Sequence, residues 1–96
     1  MEIKTKGGFT CEIDEAVFRD FRFVRALRDT GAAAAATRQD ASFALEAMLF
    51  PEREAEDALF AFLADEQGHV STDAVFGVIG EIISEVANKD KAAKKS

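Results

Sequence analysis

Hydrophobic and polar positions change period along this chain. Ile3-Lys4-Thr5 and Phe9-Thr10-Cys11-Glu12-Ile13 alternate. That is the two-residue period of a strand, with Phe9, Cys11 and Ile13 on one face and Thr10 and Glu12 on the other. Between the two runs lies Lys6-Gly7-Gly8. Its glycines supply the positive φ that a tight turn requires, so residues 2–13 are predicted to form a β-hairpin. A lone hairpin is marginal in water, so its apolar face is expected to pack on helices.

From Asp14 onward the period lengthens. Asp14 is a good N-cap for a helix over about 15–28, in which Val17, Phe21, Val24 and Leu27 share a stripe. Gly31 is placed to end it. The alanine run Ala32–Ala36 is either a connector or a weak helical lead-in. Thr37 and Asp40 resemble a capping box, and Ala41, Ala44, Leu45, Met48 and Leu49 then predict a helix over 38–49. Pro51 breaks that stripe and opens a helix over 52–65, with Ala55, Leu59, Phe62 and Leu63 as its core face and acidic residues at its positive end. Gln67-Gly68-His69 reads as a turn. Ser71 or Thr72 caps a last helix over 72–88, with Val75, Ile79, Ile82, Ile83 and Val86 as the strongest stripe. Residues 89–96 read as a mobile basic tail. The expected fold is mainly α with a short N-terminal β-hairpin: about four helices in one small domain, residues 1–88.

Composition narrows the chemistry. The chain has 96 residues, 48% of them hydrophobic and 31% charged, within the range of a folded domain. Its aromatics are nine Phe, with no Trp and no Tyr, so every ring seeks burial in the core or in a partner. Net charge is −6, and the tail holds four lysines against one aspartate, so the body is the more acidic part. An acidic body disfavours binding to nucleic acid. Met1-Glu2-Ile3-Lys4 lacks the apolar stretch of a signal peptide, and no apolar run approaches the roughly 20 residues that span a bilayer. A cytoplasmic protein without a membrane role is expected.

No catalytic, metal or cofactor site is expected. His69, the single histidine, stands in a turn with no second ligand type beside it. Cys11, the single cysteine, reads as a strand residue without a base to activate it. Lys6-Gly7-Gly8 lacks the spacing of a phosphate loop.

Two patches are candidates for holding a partner. Arg19, Arg22 and Arg25 fall opposite the Val17–Phe21–Val24 stripe, with Phe18 beside Arg22 and Arg25. This is either a solvated face or a basic–aromatic patch for an acidic helical partner. Gly77, Gly80, Ser84 and Ala87 cluster opposite Val75, Ile79 and Ile82. They form either a loosened solvent face or a close-packing seam for self-association or a partner. Phe18, Arg22, Arg25, Gly77, Gly80 and Ser84 are therefore the candidate partner-binding residues.

Residues 2–15, Glu-Ile-Lys-Thr-Lys-Gly-Gly-Phe-Thr-Cys-Glu-Ile-Asp-Glu, also carry a family resemblance. They resemble the N-terminus of tail assembly chaperones of long-tailed phages and prophages, which open on K-T-x-S-G-F-x-C-E-[IV]-D-E. Gly7 stands where serine is typical. Asp65-Glu66-Gln67-Gly68-His69-Val70 is similar to the family's E-D-G-R-V-P turn, with His69 and Ser71 in place of Arg and Pro. The order of elements agrees over nearly the whole chain, although the alanine run, Gly77 and Gly80 depart from the family's usual residues.

The resemblance implies a protein that binds the helical tape measure protein in the host cytoplasm, keeps it soluble and helps recruit tail tube subunits. It implies absence from the mature virion, and some members of that family self-associate. The Phe-rich helices are expected to supply grooves for such a partner. The residues alone leave two other readings open: a virion adaptor such as a head–tail connector component, and a small regulator of a host factor.

Overall fold

The computed structural model describes residues 1–95, and side chains as far as Lys89. Strands β1 (Glu2–Lys4) and β2 (Thr10–Glu12) pair antiparallel, with Ile3 opposite Cys11. A 3₁₀ turn (Glu15–Arg19) follows, then helices α1 (Phe21–Asp29), α2 (Ala35–Leu49), α3 (Arg53–Leu63) and α4 (Thr72–Lys95). The chain is mainly helical with an N-terminal hairpin, as the sequence predicts.

The hairpin contributes more to the core than its size implies. Ile3 and Ile13 are fully enclosed with Phe23, Leu59 and Ile82, so one small core takes a side chain from both ends of the hairpin and from α1, α3 and α4. Two hydrogen bonds fasten the hairpin to α4. The Lys6 amide donates to Glu81 Oε1 at 2.6 Å, and Lys89 Nζ donates to the Glu2 carbonyl at 2.8 Å.

One turn geometry occurs twice. In Thr5–Phe9 the Thr5 amide donates to the Phe9 carbonyl, the Gly8 amide to the Thr5 carbonyl, and the Phe9 amide to Thr5 Oγ1. In Asp65–His69 the Asp65 amide donates to the His69 carbonyl, the Gly68 amide to the Asp65 carbonyl, and the His69 amide to Asp65 Oδ1. Gly8 and Gly68 hold φ of 98° and 83°, the left-handed region where a side chain is strained. A short polar side chain at the first position and glycine at the fourth thus close both turns, one before β2 and the other before α4.

The first predicted helix is not continuous. Asp20 stands extended, with φ −76° and ψ 127°, between the 3₁₀ turn and α1. Its Oδ1 accepts from the Arg22 amide at 2.8 Å, and its carboxylate takes both Nε and Nη2 of the same residue at 3.0 and 2.6 Å. A side chain that caps in this way stops one helix and starts another. The restart changes which face turns inward. Phe23 and Ala26 are buried with Leu27 half-buried, whereas Phe21 is 73% exposed and Val24 47%. The predicted Val17–Phe21–Val24 stripe is therefore corrected to Phe23–Ala26–Leu27.

Other boundaries move for local reasons. Helix α2 begins at Ala35, so Thr37 lies inside it and no side-chain cap is present. Alanine's helix propensity extends the helix backwards, and Arg38 Nη1 gathers the Ala32 and Ala33 carbonyls at 2.7 and 2.8 Å. Helix α3 ends at Leu63, because Ala64 turns extended ahead of the Asp65 turn. Ala55 is exposed rather than in the core. Helix α4 does not stop at Asn88: no glycine or proline follows, and the alanines and lysines beyond it favour helix. The mobility expected of 89–96 concerns side chains 90–96, which lie outside the described residues.

Candidate functional site: an apolar groove between α2 and α4

Helices α2 and α4 bury Ala41, Leu45 and Leu49 against Val75, Ile79 and Ile82. Above this seam Phe43 of α2 stands 52% exposed, its ring edge-on to Phe76 of α4 with centroids 5.5 Å apart. The pair forms a ridge: both rings border one depression, and Phe76 borders a second as well.

The first depression, about 360 Å³, is walled by Phe43 and Glu46 of α2, Glu56 and Phe60 of α3, and Val75 and Phe76 of α4. Val70 and Thr72 complete the lining, so apart from the two glutamates and the threonine the walls are carbon. Glu46 is only 9% exposed, and its Oε1 has no hydrogen-bond partner among the described residues. Burial, and then the neighbouring Glu56 carboxyl, push Glu46 up to about 7. Burial disfavours the charged form, and a second carboxylate close by cannot ionise as freely as the first. Glu46 shares a hydrogen bond with the Glu56 side chain, but a buried oxygen left without a partner, as Oε1 is, is costly to the fold. That oxygen is also free to accept from a donor brought by another molecule.

The second depression, about 290 Å³, lies beyond the ridge and is lined by Leu27, Ser42, Leu45, Phe76, Ile79 and Gly80, among others. A Cβ at Gly80 would meet nothing within 4 Å. The wall there is low, and a partner backbone can approach α4 closely.

The residues singled out in the sequence do not converge on one site. Gly80 lines the second depression. Gly77 and Ser84 are exposed on α4, and a Cβ at Gly77 would point into open space. Arg22 and Arg25 line a separate depression between α1 and α2, together with Asp29 and Asp40. Phe18 is not beside them on the surface. It turns inward, half-buried, with its ring 4.6 Å from that of Phe23. The exposed aromatic of the arginine-rich helix is Phe21 instead.

Sequence reading missed Glu46, whose place on the inner side of α2 resembles that of any glutamate in an amphipathic helix. A signal was present: Glu46 follows Leu45 directly and precedes Leu49 by three, so helical spacing sets it beside the buried stripe.

Cys11 is half-buried, and burial pushes its thiol up, away from the reactive thiolate. Among the described residues no group of three or more His, Cys, Asp or Glu side chains could hold a metal ion, and no helix is long and apolar enough to cross a membrane. No family model, no curated protein and no solved structure matches this chain.

Proposed function

We propose that this protein is a tail assembly chaperone of a long-tailed phage or prophage. In this reading it binds the tape measure protein as a helix, keeps it soluble and assists assembly of the tail tube. It works in the host cytoplasm by reversible binding, without catalysis, and leaves before the virion is complete.

The observation that carries the reading is the exposed groove about Phe43 and Phe76. A helical client presents apolar side chains at intervals of three and four residues, and an apolar groove between two helices is the surface that receives them. An exposed ring such as Phe43 has no role in the core to explain it, and exposed apolar surface of this kind marks a protein–protein contact. The acidic body keeps such a protein soluble while that surface is open. The two sequence blocks that resemble the chaperone family support the same reading. They lie on the two turns of shared geometry, Thr5–Phe9 and Asp65–His69.

Co-expression tests it. A tape measure protein co-expressed with this chain is expected to move from the insoluble to the soluble fraction when the chain is present. Equal insolubility with and without the chain rules the reading out.

A further inference from the structure

The depression that both ridge rings border is more than an apolar slot. At about 360 Å³ it stands near the lower end of the range of ligand pockets, with room for one long side chain rather than a cofactor. Three phenyl rings border it: Phe43 from α2, Phe60 from α3 and Phe76 from α4. Two carboxyls stand among them, Glu46 nine-tenths buried and Glu56 half-buried. The hydrogen bond they share needs a proton on one of them, and Glu46 Oε1 still has no partner among the described residues. No other titratable group lines the space. Helix α4 contributes Thr72, Val75 and Phe76, and the segment before it Val70. Arg53 of α3 borders a separate depression with Glu56 and forms no ion pair among the described residues.

Rings and carboxyls together suit one chemistry. Phenyl faces attract a cation, and a pair of carboxylates accepts the fork of a guanidinium. A guanidinium is planar and weakly hydrated, so it gains more from such a place than an ammonium does. An anion is repelled there, and a wholly apolar side chain leaves the buried oxygen without a donor. We infer that this depression is a specificity pocket for one arginine side chain of the helix that the groove receives, its guanidinium bonded to Glu46 and Glu56 and stacked against the phenyl rings. The inference rests on the chaperone reading for whose arginine this is, the client's. A guanidinium stays charged, so its entry drives out the proton that the two carboxyls share. One guanidinium enters and one proton passes to solvent. The empty groove keeps that proton and so avoids two adjacent buried charges. With Glu46 pushed up to about 7, affinity for arginine rises as pH climbs towards that value and levels off above it.

Calorimetry of the full chain with peptides that differ at one position tests this. The probe is an amphipathic helical peptide with a face of leucine and phenylalanine and one central arginine, beside copies carrying citrulline, lysine or norleucine at that place. At pH 8 the arginine peptide is expected to bind about tenfold or more tighter than the citrulline and norleucine peptides. That advantage is expected to shrink as pH falls to 5.5. At pH 6, in buffers of different ionisation enthalpy, the arginine peptide is expected to release about one proton and the norleucine peptide none. Glu46→Gln keeps the shape of the side chain. It is expected to lose most of the preference and the proton release while binding the norleucine peptide as before.

Equal affinity for the arginine and norleucine peptides overturns the inference, and so does the failure of every peptide to bind. A lysine peptide that matches the arginine one, arginine binding without proton release, or a preference that survives intact in Glu46→Gln does the same. Co-expression with a tape measure protein separates the two claims. A chain that prefers arginine yet leaves that protein insoluble sinks the chaperone reading alone. A chain that keeps it soluble but shows no preference among the peptides sinks the arginine pocket alone.

Discussion

The ring of Phe76 meets the exposed ring of Phe43 edge to face, at 74° between planes and 5.5 Å between centroids. Such a pair contributes about 0.5–1.5 kcal/mol beyond simple burial. Phe43→Ser is therefore expected to cost the fold about 1 kcal/mol while removing the ridge of the groove. Phe23→Ala, at a fully buried ring, is expected to cost about 3–5 kcal/mol, which is much of what a small domain possesses. Urea titration distinguishes the two. Near-equal losses would mean that Phe43 is a core residue and that the groove is misplaced.

Glu46 gives the protein a pH dependence of unusual sign for a carboxyl. Its native pKa is raised from 4.5 to about 7, so between those values the native state holds more proton than the unfolded chain. Stability then falls as pH rises through that window and levels off above it. Tm measured from pH 5 to pH 8 is expected to decline by several degrees. In Glu46→Gln that decline is expected to flatten and Tm at pH 8 to rise above the wild type. A wild-type Tm that climbs over the same range would show that Glu46 is not buried as described.

The glycines divide by conformation. Gly77 and Gly80 are helical with open space where a Cβ would stand, so alanine at either is expected to add about 1 kcal/mol. Gly8 and Gly68 lie at φ 98° and 83° with equally open surroundings. Alanine there is expected to cost about 1–2 kcal/mol through the backbone alone. Thermal unfolding of the four single variants checks the split. A stabilising Gly68→Ala would mean that the Asp65–His69 turn does not have the geometry of Thr5–Phe9.

Asp20 is expected to matter more than an exposed aspartate ordinarily does. Its bonds to the Arg22 side chain, then to the Arg22 amide, hold its carboxyl down at about 2. Its support is therefore present above about pH 4 and lost as pH falls towards 2. Asp20→Ala is expected to lower Tm and loosen the amides at the start of α1. Asp20→Asn keeps a cap acceptor and is expected to lower Tm less. Hydrogen exchange at Phe21–Phe23 reads this directly, and unchanged exchange in Asp20→Ala would contradict the capping role.

Much of the architecture is legible from local pattern. The hairpin, the Asp65–His69 turn and the α4 stripe are each written in period, turn residues or caps. What is not legible arises where two patterns compete. Phenylalanines at 18, 21 and 23 allow more than one inward face, and the choice between them depends on Asp20 preferring to cap rather than to continue a helix. That preference is weak in isolation and is decided by the burial of Phe23 in the core, where its ring meets Phe18. The groove was foreseen only as a need of the Phe-rich helices. Its position depends on α2, α3 and α4 meeting around Glu46, and no single helix pattern contains that. Gly80 was singled out for its small size and does line the groove; Phe18 was singled out for exposure that the restart at Asp20 takes away.

The central claim is that this protein holds another protein's helix in the α2–α4 groove. Hydrogen exchange on a complex co-purified with a tape measure protein tests it most directly. The account predicts new protection across residues 42–49 of α2 and 72–83 of α4, with little change in the hairpin. A complex protected only elsewhere would contradict it, and so would the failure of any such protein to co-purify.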